Sequence, residues 1–433
     1  MNSPSSTIRI AILGGGVEGA TLLRGLLRQS HIAVEIYNSD PMFKDEGQGI
    51  ALTPIAEEIL AELDPSLREC LNRAGATMSS AVMRIATGPF AGENVSSPFL
   101  QGARSKAVNR QRFLDELLRD MPPRMIHSNS RISAITSSTT DNAVILSFAD
   151  GSQKKYDLLV GADGVYGNSR TFVLGAGHPA VEPKPTGIWG LTIQVPLEKA
   201  VQAMGQGNLD VNGDPCQTLW IGDGTVMHHH FLGYGNEVRI AAFATHDDYS
   251  KDSPWAKLLT PEEFAAAFSQ NHVPACQGIV KLIQSIYTVQ IAGIYMMKHD
   301  ETPTFATKNA VLMGDAAFSS VSMQGGNMTI QLEQAVILTT LLGRVGSRAD
   351  IPAALKAYDQ VCRPRAEASA KYSARGSVII TGRDPEVGHD LRRVGTTFQR
   401  HWENNAWTIG QDSKQLIAAA VGHMDHLRSN RLV

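Results

Sequence analysis

An apolar run of six residues, Ile8 to Leu13 (IRIAIL), leads directly into Gly14, Gly15 and Gly16, and Gly19 follows three residues later. A short apolar run of this kind reads as a strand buried on both faces of a parallel sheet. Beyond the glycines, Leu22, Leu23, Leu26 and Leu27 recur at helical spacing over residues 17–28, and residues 33–37 read as a second strand. Strand, Gly14-x-Gly16-x-x-Gly19 and helix, in that order, make a βαβ unit whose turn suits a dinucleotide. In such a turn the first glycine permits the bend, the second lets backbone approach a pyrophosphate, and the third lets helix pack on strand. The helix N-terminus then offers its free N–H groups to the phosphates. The competing reading is a glycine-rich turn without a ligand. At the end of the second strand, where an acid usually accepts from ribose hydroxyls, stands Asn38. Its amide oxygen accepts a weaker bond than a carboxylate would, and Asp40 is the alternative.

The chain, 433 residues in all, is long enough for two or three domains and for a bulky cofactor. Helices are expected at residues 54–63, 111–119, from Thr260 (a capping box, with Pro261 and Glu263), and at 328–342 ending at Gly343. A hairpin is expected over 132–148, buried strands at 157–160 and 310–313, loops and short strands over 76–101, and an antiparallel sheet over 187–244. The C-terminal part reads as mostly helical, interrupted at Pro364. The fold class is therefore α/β: a Rossmann-like domain completed by distant segments (1–75, 105–180 and 285–365), an inserted antiparallel-sheet domain (76–104 and 181–284), and a helical region (366–433). A formal charge of −3 speaks against nucleic acid or an anionic membrane as partner. The four cysteines are scattered with no C-x-x-C pair, which argues against zinc and disulfides and suits a reducing compartment. With no apolar signal core and no run of about 18 apolar residues, the expected location is cytoplasmic.

Two later segments narrow the ligand. Residues 157–170 read DLLVGADGVYGNSR, and residues 311–317 read VLMGDAA, followed by Gln324-Gly325-Gly326-Asn327 and by Leu332-Glu333-Gln334-Ala335. With the N-terminal glycines they resemble the three fingerprints of group A FAD-dependent monooxygenases, of the salicylate hydroxylase-like and fungal polyketide hydroxylase-like kind. Val108-Asn109-Arg110 resembles the family's flavin-side arginine segment, Phe43 to Ile50 with Gly47, Gln48 and Gly49 its flavin-contacting loop, and Arg363-Pro364-Arg365 its helix after the third motif. The resemblance implies FAD as cofactor and NADPH or NADH as electron donor. It implies Asp315 at the ribityl chain, Asp163 and Gly164 near the pyrophosphate and the donor's path, and Arg110 on the FAD. Gly325, Gly326 and Asn327 would lie beside the isoalloxazine, where backbone N–H groups suit its reduced, anionic form. A Gly-Asp at a strand end is otherwise often a helix cap. The chain departs from the family's pattern at Phe318, Ser319, Ser322 and Gln334, where His-Pro, a second proline and an acid are usual.

The implied chemistry is reduction of FAD, addition of O2 as a C4a-hydroperoxide, and oxygen transfer to an aromatic or polyketide-like small molecule. Baeyer–Villiger insertion and non-oxygenating cyclase or isomerase chemistry are the alternatives, and a homodimer stays open. Phenols react best as phenolates, so a base is useful. In Met227-His228-His229-His230-Phe231, a strand places His228 and His230 on one face, and His230 falls where the family often has a tyrosine facing the flavin. Metal binding by two histidines lacks a third ligand, so no metal is expected, and a structural role is the remaining reading. Tyr234, Trp189 and Trp220 are candidates for an aromatic pocket or for plain core. Arg170 is read as a phosphate contact or a surface ion pair, and the family's usual arginine after Thr186-Gly187 has no counterpart.

Overall fold

A computed structural model describes residues 7–40, 49–95, 105–209, 216–246, 255–321, 327–405 and 412–430. Five strands form a wholly parallel sheet in the order Ala310–Leu312, Leu158–Gly161, Ile8–Leu13, Ile32–Tyr37 and Ile126–His127. Leu13 pairs in register with Gly161 on one side and Tyr37 on the other, and Gly161 pairs with Leu312. These strands therefore end together, and the turns at Gly14, Ala162 and Met313 leave the sheet along one edge. That edge is where ligands bind in open α/β sheets.

The sheet is continuous with the largest apolar core, in which Ile10, Ile12, Leu159, Val160, Val311 and Leu312 are fully buried. Helix Val17–Leu26 packs against helix Asn327–Gly343, which is buried on nearly every side and also meets Pro54–Leu63, Ile351–Ile380 and Ser413–Ser429. Helix Pro261–Ala267 begins with the expected capping box: Thr260 accepts from the Glu263 N–H and the Glu263 carboxylate accepts from the Thr260 N–H.

A second sheet has nine strands, in the order Ala256–Leu259, Ile291–Lys298, Lys184–Pro196, Glu237–Thr245, Thr225–Leu232, Cys216–Ile221, Thr77–Ile85, Ser105–Asn109 and Gly49–Leu52. Neighbours are antiparallel except Cys216–Ile221 with Thr77–Ile85, which run parallel. Gly49–Leu52, Ser105–Asn109 and Ile291–Lys298 thus sit in this sheet and not with the parallel one, as the sequence-based division has them. Residues 132–156 add a three-stranded antiparallel sheet.

The break expected at Pro364 does not occur: Ile351–Ile380 is one 30-residue helix containing it. The hydrogen bond that proline forfeits is to Gln360, and both residues lie on the exposed side. Tyr358, Cys362, Arg365 and Ser369 are buried on the other side, before and after that point.

Candidate functional site

The loop between Leu13 and helix Val17–Leu26 is built for close backbone approach. Gly14 has φ of +109°, and a Cβ there would lie 1.9 Å from the Ala162 carbonyl oxygen. At Gly19 a Cβ would lie 2.0 Å from the Gly14 carbonyl oxygen. The first two strand ends and the helix therefore close on one another only through these glycines. Gly16 caps the helix with extended backbone and no side-chain acceptor, which leaves the first-turn N–H groups to a ligand.

This loop walls a cavity of about 580 Å³ that also receives Asn38, Asp40, Arg110, Asp163, Gly164 and Asp315. A second cavity of about 760 Å³ is lined by Gly49, His228, His230, Arg239, Asn327 and Gln331, with an apolar wall that includes Leu191, Phe243 and Met296. Glu18, Arg110, Tyr166, Trp255 and Asp315 line both, so the two spaces meet at these side chains. Tyr166 and Trp255 meet there with ring centroids 3.9 Å apart and planes tilted by 42°.

The predicted residues divide sharply. Asp315 accepts from Gln331 Nε2 at 2.7 Å and caps no helix. Burial, and then the negative charge of Glu18, push its carboxyl up to about 6, with Arg110 and Gln331 opposing. Arg110 opens helix Arg110–Leu118, whose cap is Asn109 accepting from the Arg112 N–H at 3.0 Å. Its guanidinium lies 3.7 Å from the Glu18 carboxylate.

Asp163 lines the first cavity, but its carboxylate turns inward and accepts from the Ser169 N–H and hydroxyl. It thereby holds the start of helix Asn168–Leu174, and burial raises its pKa. Gly47, Gln48, Gln324, Gly325 and Gly326 lie outside the described residues.

His228 and His230 face the second cavity from strand Thr225–Leu232, with rings stacked 5.6 Å apart. His230 stands opposite Arg239 in the sheet register, and Gly49 backs onto both. Arg239 Nη1 donates to His228 Nε2 at 2.6 Å, which leaves the His228 proton on Nδ1. Burial first, and then the Arg239 charge, drive both imidazoles well below the usual 6.5, so both are neutral. Neither ring nitrogen of His230 has a partner among the described residues. His229 points to the other face, where burial lowers it to about 4. Among the described residues no group of three metal-ligating side chains occurs.

Tyr234 does not join this site. It is 69% exposed, has φ of +59°, and its hydroxyl donates to the carbonyls of Asn72 and Arg73. The short turn after Leu232 carries it out of the strand's alternation. Trp189 and Trp220 are core: Trp189 packs edge-on to Phe264 and Phe268, and Trp220 lies under the Arg84 guanidinium.

Arg170 is neither a phosphate contact nor a surface ion pair. It is 1% exposed and donates to the carbonyls of Ala180, Ala316 and Ala317 and to Thr302 Oγ1. Arg170 thus ties the second motif to the third.

The departures from the family pattern also find roles. Phe318 enters the main core, Ser319 donates to the Met297 carbonyl, and Gln334 accepts from the Gly314 N–H at 2.8 Å. Glu333 and Arg365 form a buried pair at 2.5 Å.

Sequence reasoning missed Glu18, Arg239, Gln331 and Trp255. Glu18 was visible as a charge inside the glycine turn; Arg239 was visible as the lone cation of an apolar strand (EVRIAAFAT).

No known family profile matches the chain. Among solved structures, a salicylate hydroxylase–substrate complex shares 23% of residues with a TM-score of 0.78, over 96% of this chain and 98% of that one. CtdE in complex with FAD and a substrate shares 16% with a TM-score of 0.79, over 98% and 100%. The fold is that of the FAD-dependent hydroxylases. In sequence, 6-methylsalicylate 1-monooxygenase of Aspergillus terreus is 26% identical over 96% of this chain and 92% of its own. Salicylate hydroxylase of Pseudomonas putida is 26% identical over 94% of each. The chain is thus similar, in sequence and in fold, to salicylate hydroxylase-like and fungal FAD-dependent monooxygenases, and is an oxidoreductase.

Proposed function

We propose that this chain holds FAD at the junction of its two cavities and oxygenates a phenolic or polyketide-like molecule in the second, with NADPH or NADH as electron donor. One observation carries this reading: the dinucleotide cavity and the 760 Å³ chamber share Glu18, Arg110, Tyr166, Trp255 and Asp315. The relatives named for salicylate and 6-methylsalicylate support a phenolic substrate.

The residues present fit the cofactor. The Gly14–Gly16 backbone and the uncapped helix start suit the pyrophosphate, Arg110 adds positive charge, Asn38 suits a ribose, and Asp315 suits a ribityl hydroxyl. FAD held by these residues would supply the redox chemistry.

The chain's own part is positioning and exclusion. Leu191, Phe243 and Met296 keep the chamber wall apolar, which limits water at the reacting centre. His230 is neutral and offers one lone pair and one N–H. With its low proton affinity it orients a substrate hydroxyl by accepting its hydrogen bond and does not retain the proton.

The test is an absorbance spectrum of the purified protein, followed by NADPH and NADH oxidation with oxygen uptake over a panel of phenols. A yellow protein whose donor oxidation rises with a phenol, with hydroxylated product formed, supports the reading. A yellow protein that consumes no donor with any phenol or ketone overturns the oxygenation. A colourless protein that FAD does not reconstitute overturns the cofactor.

A further inference from the structure

We infer that the second cavity selects an organic oxyanion, and that Arg239 is the residue that selects it. The inference rests on that cavity being the substrate chamber. Arg239 projects from strand Glu237–Thr245 into the chamber, opposite His230. Its guanidinium makes two bonds, to His228 Nε2 at 2.6 Å and to Thr192 Oγ1 at 3.3 Å, both to neutral groups. Its Nε is buried without a partner, and among the described residues its recorded partners are His228 and Thr192, with no carboxylate. A guanidinium cannot shed its charge at working pH, and one buried without an anion is costly to keep.

The surroundings leave that charge for a ligand. His228 is held neutral by burial and then by the same guanidinium, and His230 is neutral beside it. The chamber's carboxylates, Glu18 and Asp315, lie at the junction with the first cavity, where Glu18 faces Arg110. The rest of the lining near Arg239 is apolar or uncharged, with Leu191, Phe243 and Leu219 among it. The chamber therefore has a cationic end with two imidazoles and a threonine, and an acidic end toward the dinucleotide. A planar guanidinium suits a carboxylate or a phenolate oxygen, and the neutral imidazoles add donors around it.

Calorimetric titration of the purified protein tests this with two matched pairs of probes. One pair is 1-naphthoate against 1-naphthamide; the other is 4-nitrophenol above its pKa against 4-nitroanisole. At least one anion is expected to bind about tenfold or more tighter than its neutral partner, and the pair that separates tells carboxylate from phenolate. R239M is expected to erase the preference, and R239K to keep part of it. Equal binding within both pairs in the wild type overturns the proposal, as does a preference that survives in R239M. The comparison within the wild type needs no variant to fold. Calorimetry also reads the preference whether or not flavin is bound or donor consumed, so a failed monooxygenase assay and a failed anion preference are separate results.

Discussion

Replacing Gly14 by alanine would place a Cβ 1.9 Å from the Ala162 carbonyl oxygen at a φ of +109°. Both strain and overlap act at the point where two parallel strands end, so G14A should cost at least about 3 kcal/mol. The urea midpoint and the FAD content after gel filtration should fall together. The three histidines of strand Thr225–Leu232 make a second prediction. Burial holds His229 down to about 4, and His228 and His230 well below 6.5. The unfolded chain takes up protons in this range and the folded chain does not, so stability is complete above 6.5 and falls as pH drops toward about 4. Melting temperature across that window should drop, and less steeply in H229F, which removes one share without touching the cavity. Asp315 works in the opposite sense. Its pKa, raised from 3.8 to about 6, means that the folded chain binds the extra proton, so its contribution falls as pH rises through about 6. D315N should remove that opposing component, seen as a steeper loss of stability as pH falls over the same interval.

At the scale of elements, the features readable from sequence were those fixed locally. The strand–glycine–helix unit at residues 8–26 and the capping box at Thr260 follow from neighbours in the chain. The exit of the three motifs on one sheet edge could be expected only through family resemblance, because it depends on the register of Leu13, Gly161 and Leu312. What escaped reading was set by distant partners. Gly49–Leu52, Ser105–Asn109 and Ile291–Lys298 each fit either sheet by pattern alone, and pairing decides between them. Arg170 reads as a phosphate contact or a surface ion pair because sequence does not show the carbonyls of Ala316 and Ala317 that surround it. R170M should orphan those carbonyls and cost about 2–4 kcal/mol, measured as a lower denaturant midpoint. R170K, a compact ammonium facing four acceptors spread around a planar guanidinium, should recover little of it.

For the molecule as a whole, the two cavities are the meeting of two sheets drawn from interleaved chain segments. The parallel sheet uses residues from Ile8 to Leu312, and the nine-stranded sheet uses residues from Gly49 to Lys298. Their candidate site was half legible: the glycine turn and the Asp315 motif are local signatures, whereas the chamber with Arg239 at one end exists only once distant strands align. That interleaving has a consequence for how the molecule comes into being. Neither sheet can close until the chain has been made past Lys298, because each awaits strands encoded late. Such long-range topology is slow to assemble. During synthesis, apolar strands from the first third of the chain must wait without their final neighbours, open to wrong pairing and in need of shelter from the cell's folding machinery.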